Sequence, residues 1–157
     1  MSSINLVVER EQLRFSTTRT FSASPQSLWR AMTEPDLIPK WWGPAKYSTV
    51  VEKHELRVGG VWRFVQTGPD GDVHAFNGVF KEIRPFEVLA YTLEYEPVAG
   101  HISTDTLTLE PLAGGKTRIL GVTTFDNLED LDGMLQAGME EGASETWDRL
   151  DALATNL

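Results

Sequence analysis

The residues of this chain that could move a proton or hold a metal are few and dispersed. The three histidines, His54, His74 and His101, lie in separate segments, and no two share the helical or hairpin spacing that metal ligands need. There is no cysteine, which removes thiol catalysis, disulfides and cysteine-ligated metal. A serine nucleophile needs a histidine base nearby, and no G-x-S-x-G elbow is present. Gly59-Gly60 joins two expected strands without opening a helix, so it is not a phosphate loop, and Gly68, Gly71 and Gly78 read as turn or strand glycines. No catalytic residue, metal site or cofactor site is therefore assigned. What remains are polar groups that strand alternation would turn inward. Glu52, His54 and His74 share the parity of the apolar face on their strands, where each could serve a pocket as a hydrogen-bonding or acid-base group. Asp105 shares parity with Leu107, and Arg19 with Phe21; an arginine and a carboxylate brought inside one sheet read first as a structural pair. A lone histidine at a strand end is more often bound to backbone or partly solvated than catalytic.

Strands must position these groups, and from Tyr47 onward the apolar period is two. YSTVVEKHEL, VWRFVQTG, VHAFNGVFKEI, VLAYTLEYE, ISTDTLTLEP and KTRILGVTTF give six strands, after a first one in LRFSTTRTF at 13–21. Gly59-Gly60, Pro69 to Asp72, Arg84 to Phe86, Pro97 to Gly100 and Gly114-Gly115 supply the turns, short enough for consecutive antiparallel hairpins. Trp62, Phe64, His74, Phe76, Phe80, Tyr91, Leu93, Leu107 and Leu109 alternate with polar neighbours, so one face is apolar and the other wet. Between the first two strands, Ser24 caps a short helix with Pro25 at its first turn and Leu28, Trp29 and Met32 on its buried side. A second helical turn spans PDLIPKWWGP, where one of Trp41 and Trp42 is expected to line an opening.

An apolar sheet face needs a cover, and the segment from 128 to 157 is the one long enough to supply it. Leu135, Met139, Ala143, Leu150, Leu153 and Leu157 fall on one side of a 3.6-residue helix, with Glu140, Glu141, Ser144, Glu145, Asp148 and Asp151 opposite. Asp126 or Asn127 can cap it, and over 131–153 it would run roughly 35 Å. Gly138 and Gly142 border its apolar stripe, which implies close backbone approach or empty space beneath. Gly121 stands where alternation with Ile119 and Thr123 expects an inward side chain, and together with Gly142 it would leave room for a cavity.

With 14 basic and 23 acidic side chains in 157 residues the formal net charge is −9, which argues against nucleic acid or an anionic membrane as partner. No run approaches the length of a membrane span, and the first fifteen residues lack a signal-peptide core. The expectation is an unprocessed cytoplasmic protein without membrane insertion.

The quoted stretches SASPQSLWRAMTEPDLIPKWWGP, ELRVGGVWRFVQTGPDGDVHAFNGVFKEIRP, GHISTDTLTLEPLAGGKTRI and DLDGMLQAGMEEGASETWDRLDAL resemble the START-like helix-grip (SRPBCC) superfamily, in the branch named for the activator of Hsp90 ATPase. KWWGP, the GG-W-R-F strand and GM-E-E-G with a following RL carry the resemblance jointly, and it covers about residues 13–153. Leu131 and Trp147 depart from it, the family having arginine and tyrosine there more often. The resemblance implies an α+β helix-grip fold: a curved antiparallel sheet of six or seven strands around a long C-terminal helix, with two short helices between strands 1 and 2. Residues 1–157 are read as a single START-like domain, with 1–11 as a frayed end or a lead into the first strand, and as too short to include the extra N-terminal domain of the eukaryotic co-chaperone.

It further implies a pocket for a hydrophobic small-molecule ligand between sheet and helix. The candidate ligand-binding set is Trp41, Trp42, His54, Trp62, Phe64, His74, Phe76, Tyr91, Leu93, Leu107, Gly121, Met139, Gly142 and Trp147. The alternatives are an aromatase/cyclase-type enzyme acting on a polyketide-like substrate through His54, His74 or Glu52, and a chaperone-interacting module with a protein partner. Binding without catalysis leads, because no acid and base pair at a recognisable spacing.

Overall fold

The computed structural model describes residues 3–157. Eight antiparallel strands form one sheet: β1 (Asn5–Glu9), β2 (Arg14–Phe21), β3 (Ser48–His54), β4 (Val61–Thr67), β5 (Val73–Arg84), β6 (Val88–Tyr95), β7 (Ile102–Pro111) and β8 (Thr117–Thr124). Their order is β1-β2-β8-β7-β6-β5-β4-β3, a meander closed at one side by the pairing of β2 with β8. The count exceeds the expected six or seven because the polar stretch ahead of Leu13 is itself a strand, paired from Asn5 opposite Thr18 to Glu9 opposite Arg14. Its consecutive Leu6, Val7 and Val8 show no alternation to reveal it, and an edge strand buries little. Residues 1 and 2 of that stretch lie outside the described residues.

α1 (Pro25–Thr33) begins as its sequence dictates: the Ser24 side chain accepts from the Ser27 amide at 3.2 Å, and Leu28, Trp29 and Met32 are buried. PDLIPKWWGP yields only a 3-10 turn over Ile38–Lys40, after which Trp41 leaves helical geometry with φ −134°.

The terminal helix is two helices, not one. α2 (Leu128–Gln136) is capped by Asn127, whose side chain accepts from the Asp130 amide at 2.8 Å. α3 (Met139–Ala154) follows, and the break is Gly138, at φ 83° in the left-handed region that glycine enters without a Cβ clash. α2 packs Leu131, fully buried, against Phe15 and Phe125 as a small cluster of its own. α3 places Leu150 and Ala154 in the main core with Phe21, Leu28, Ile38 and Ile119. Ser144, expected on the wet face, is buried instead and bonds the Ser3 amide at 2.7 Å, so it fastens the N-terminal segment to α3.

Candidate ligand cavity

Between the sheet and α3 lies a cavity of about 420 Å³. Phe76, Tyr91, Leu93, Leu107 and Gly121 line it from the strands, and Met139, Gly142 and Trp147 from α3. Gly142 leaves open space beside α3, for a Cβ added there would meet nothing within 4 Å. Gly121 does not make room. A Cβ at Gly121 would meet Thr17 Oγ1 at 3.0 Å, Leu107 Cδ2 at 3.2 Å and Trp147 Cη2 at 3.4 Å, so the space beside this glycine is already taken by the Thr17 and Leu107 side chains, with Trp147 in ordinary contact. Trp147 is held from its other side by Phe21, with ring centroids 5.4 Å apart.

Both Trp41 and Trp42 border the cavity, where one had been expected. The chain has left the 3-10 turn at Trp41, so the two side chains are not confined to one helical face. The Trp41 indole donates to the Ala31 carbonyl at 2.7 Å, which fixes it to α1. Trp42 sets its edge against Phe64 and Phe76, each 5.1 Å away. Trp62 and Phe64 lie behind Trp42, their tilted rings 4.7 Å apart, and face a small adjoining void of about 40 Å³ that shares Met32, Trp41, Trp42, Tyr91 and Leu107 with the cavity.

His54 also faces that small void, and its Nε2 lies 2.7 Å from the Thr33 carbonyl, so it anchors the end of α1 to β3. Glu52 faces outward. A β-bulge between Val51 and Lys53 inverts the alternation, leaving Val51 opposite Phe64 and His54 opposite Trp62 while Glu52 joins Lys53 on the wet side. There it accepts from Arg63 at 2.6 Å, and Arg63 forks to Glu96 at 2.9 and 2.8 Å. The Arg63 guanidinium, followed by the Asn77 amide, holds the Glu96 carboxyl down to about 2. His74 lies in an outer vestibule of about 750 Å³ that shares Pro44, Gln66, Phe76, Leu93, Ser103 and Met134 with the cavity, and Gly133 of α2 and Ala137 just after it roof it. Its ring bridges Asp72 Oδ2 at 2.7 Å and the Tyr95 hydroxyl at 2.6 Å.

Arg19 and Asp105 are not a pair. Arg19 reaches α3, with Asp148 at 2.8 Å in ionic contact and Asp151 at 3.4 Å. Asp105 lines the cavity, directly across from Tyr91 on β6 and Thr123 on β8. The Thr123 hydroxyl donates to Asp105 Oδ1 at 2.5 Å. Burial pushes the Asp105 carboxyl up to about 6, against the lowering effect of that hydrogen bond. Burial first, then the charge of Asp105, raises the Tyr91 phenol. Asp105, Gln66 and Ser103 were absent from the sequence-derived set although their parity with Leu107, Phe64 and Leu107 respectively was available; in sequence Asp105 reads first as a structural partner of Arg19.

A curved antiparallel sheet holding a C-terminal helical pair over an internal cavity defines the helix-grip class, whose members are ligand- or protein-binding modules. Over residues 22–155 the chain matches the family described as activator of Hsp90 ATPase homolog 1-like protein, and it belongs to that family. It is similar to the solution structure of a protein from Arthrobacter aurescens, at 29% identity and TM-score 0.89, covering 99% of this chain and 94% of that one. A crystal structure from Mycobacterium smegmatis is similar at 28% identity and TM-score 0.86, covering 98% of both chains. One from Rhodobacter sphaeroides follows at 27% and 0.88, covering 98% of this chain and 99% of that one. No curated protein matches the sequence at a significant level. Among the described residues no helix is long and apolar enough to cross a membrane, and no group of histidine and carboxylate side chains could hold a metal.

Proposed function

We propose that the protein binds an apolar or aromatic small molecule in the cavity between the sheet and α3. The observation that supports this is the cavity itself: about 420 Å³ walled by Trp41, Trp42, Phe76, Tyr91 and Trp147, with a glycine at 142 that leaves open space on the α3 side. Well-packed interiors keep few voids larger than a water, so a space of this size under a helix is what a ligand would occupy.

A ligand that binds only the folded cavity stabilises it by about 2.7 kcal/mol at a hundred times its dissociation constant, a melting shift of roughly 5 to 10 °C for a chain of this length. A thermal-shift screen of apolar aromatics and polyketide-like compounds should return such hits, and Gly142→Leu should remove the shift while staying folded. Hits that shift the variant equally would place binding elsewhere.

The enzyme reading keeps one supporting observation, the chain Asp72–His74–Tyr95 at the vestibule, an order of groups that can relay a proton. Glu52 and His54 no longer contribute to it, one being tied to Arg63 outside and the other to a backbone carbonyl. Turnover of a hit, lost in His74→Ala, would establish this reading.

A further inference from the structure

The cavity wall is largely apolar, with the uncharged polar side chains of Thr17, Gln66, Ser103 and Thr146 on it, and on one side β6, β7 and β8 place Tyr91, Asp105 and Thr123 in register. Among the described residues Asp105 is the one ionisable carboxyl on its wall, and neither lysine nor arginine lines the cavity or the vestibule. Thr123 satisfies Oδ1; Oδ2 and the Tyr91 hydroxyl have no hydrogen-bond partner among the described residues. A carboxylate in such a place lacks the counter-charge that buried ions require. The surrounding surfaces are those a cation favours. Trp41, Trp42, Phe76, Tyr91 and Trp147 present aromatic rings, and Glu129 and Asp130 stand at the vestibule of a chain whose net charge is −9.

Resting on the binding reading above, we propose that the ligand is a lipophilic amine, its ammonium seated on Asp105 Oδ2 beside the Tyr91 hydroxyl and its apolar body against the tryptophan-rich wall. A carboxylate ligand such as a fatty acid would meet Asp105 with no cation to offset the repulsion. A neutral ligand would leave the carboxylate unpaired.

Three compounds of one shape separate these cases: naphthylethylamine, naphthylethanol and naphthylacetic acid, titrated calorimetrically at pH about 7.5, where the amine is protonated and Asp105 ionised. The amine should bind at least about tenfold tighter than the alcohol, and the acid weakest of the three. Asp105→Asn should bring the ratio of amine to alcohol affinity close to one, its fold being checked by its melting transition. Where that variant fails to fold, the wild type decides through pH. The groups facing Asp105 from neighbouring strands are Tyr91, raised and neutral throughout, and the uncharged Thr123; the helices contribute Met134, Met139, Thr146 and Trp147, none of which titrates. His74, His101, Glu129 and Asp130 belong to the vestibule. The amine preference should therefore fall as Asp105 takes up its proton near pH 6. Equal affinity for amine and alcohol, a preference for the acid, or a ratio that survives both Asp105→Asn and low pH would overturn the amine assignment while leaving the cavity a binding site. Failure of all three compounds to bind would count against the binding reading and the amine with it.

Discussion

Asp105 carries a charge that the largely apolar cavity wall does little to stabilise, and the cost has a sign and a pH window. Its carboxyl titrates at about 6 in the folded protein, above the ordinary value of 3.8. A raised carboxyl makes the folded state bind its proton more tightly, so no cost exists below pH about 4. The cost grows as the unfolded carboxyl ionises and is complete above pH about 6. Two units correspond to about 3 kcal/mol, and contact with the cavity space brings the expectation to the order of 2 kcal/mol. Asp105→Asn should therefore raise the unfolding free energy in urea by about that amount at pH about 8 and leave it nearly unchanged at pH about 4. A variant less stable than wild type at the higher pH would mean that Asp105 already has a counter-charge in the folded chain. A residue whose removal strengthens the fold is retained for some other purpose, and a ligand partner is one.

At the scale of elements, the strands were readable because each inward position repeats at two, and the six meander strands lie where alternation put them. The failures came where one residue changes the period. The bulge after Val51 reversed the side of Glu52, and no residue type at that point announces it. The helix break was harder still, since Gly133, Gly138 and Gly142 look alike in sequence and only Gly138 adopts a positive φ. β1 was missed because its exposed valines, Val7 and Val8, give an edge strand no apolar face to display. For the cavity, parity assembled most of the wall correctly in space, while depth did not follow: Trp62 and Phe64 share the face but sit behind Trp42. Gly138 and Gly142 can be told apart by experiment. Gly138→Ala forces a Cβ into left-handed backbone and should cost about 1 to 2 kcal/mol. Gly142→Ala gains helix propensity, meets no neighbour within 4 Å, and should stabilise by about 1 kcal/mol. Thermal unfolding of the two variants should therefore move in opposite directions, and shifts of the same sign would mean the break lies elsewhere.

Across the whole molecule, the two helical pieces are fastened very differently. α3 is bound along its length: Arg149 donates to the carbonyls of Gly43 and Lys40, Glu145 accepts from the Ala45 amide at 2.8 Å, and Asp151 accepts from the Ser22 amide at 3.0 Å. These contacts tie the KWWGP segment and the start of α1 to one helix, with Leu150 seated in the main core. α2 has one fully buried side chain, Leu131, in its small cluster with Met134 and Leu135 partly buried against it; its polar ties are the surface pairs His101–Asp130, at 2.8 Å, and Arg10–Asp132, and Gly133 and Met134 look onto the vestibule. Segments with few buried apolar contacts open at free energies below that of global unfolding. Native-state hydrogen exchange should accordingly show the amides of 131–136 exchanging through a local opening, with little denaturant dependence, while those of β7, β8 and α3 exchange only through global unfolding. A ligand in the cavity would touch Met134 on α2 and Met139 on α3 together, so its binding should slow exchange in α2 more than in any strand. Exchange of α2 with the same denaturant dependence as β7 would show that the break at Gly138 separates the helices in geometry without separating them in stability.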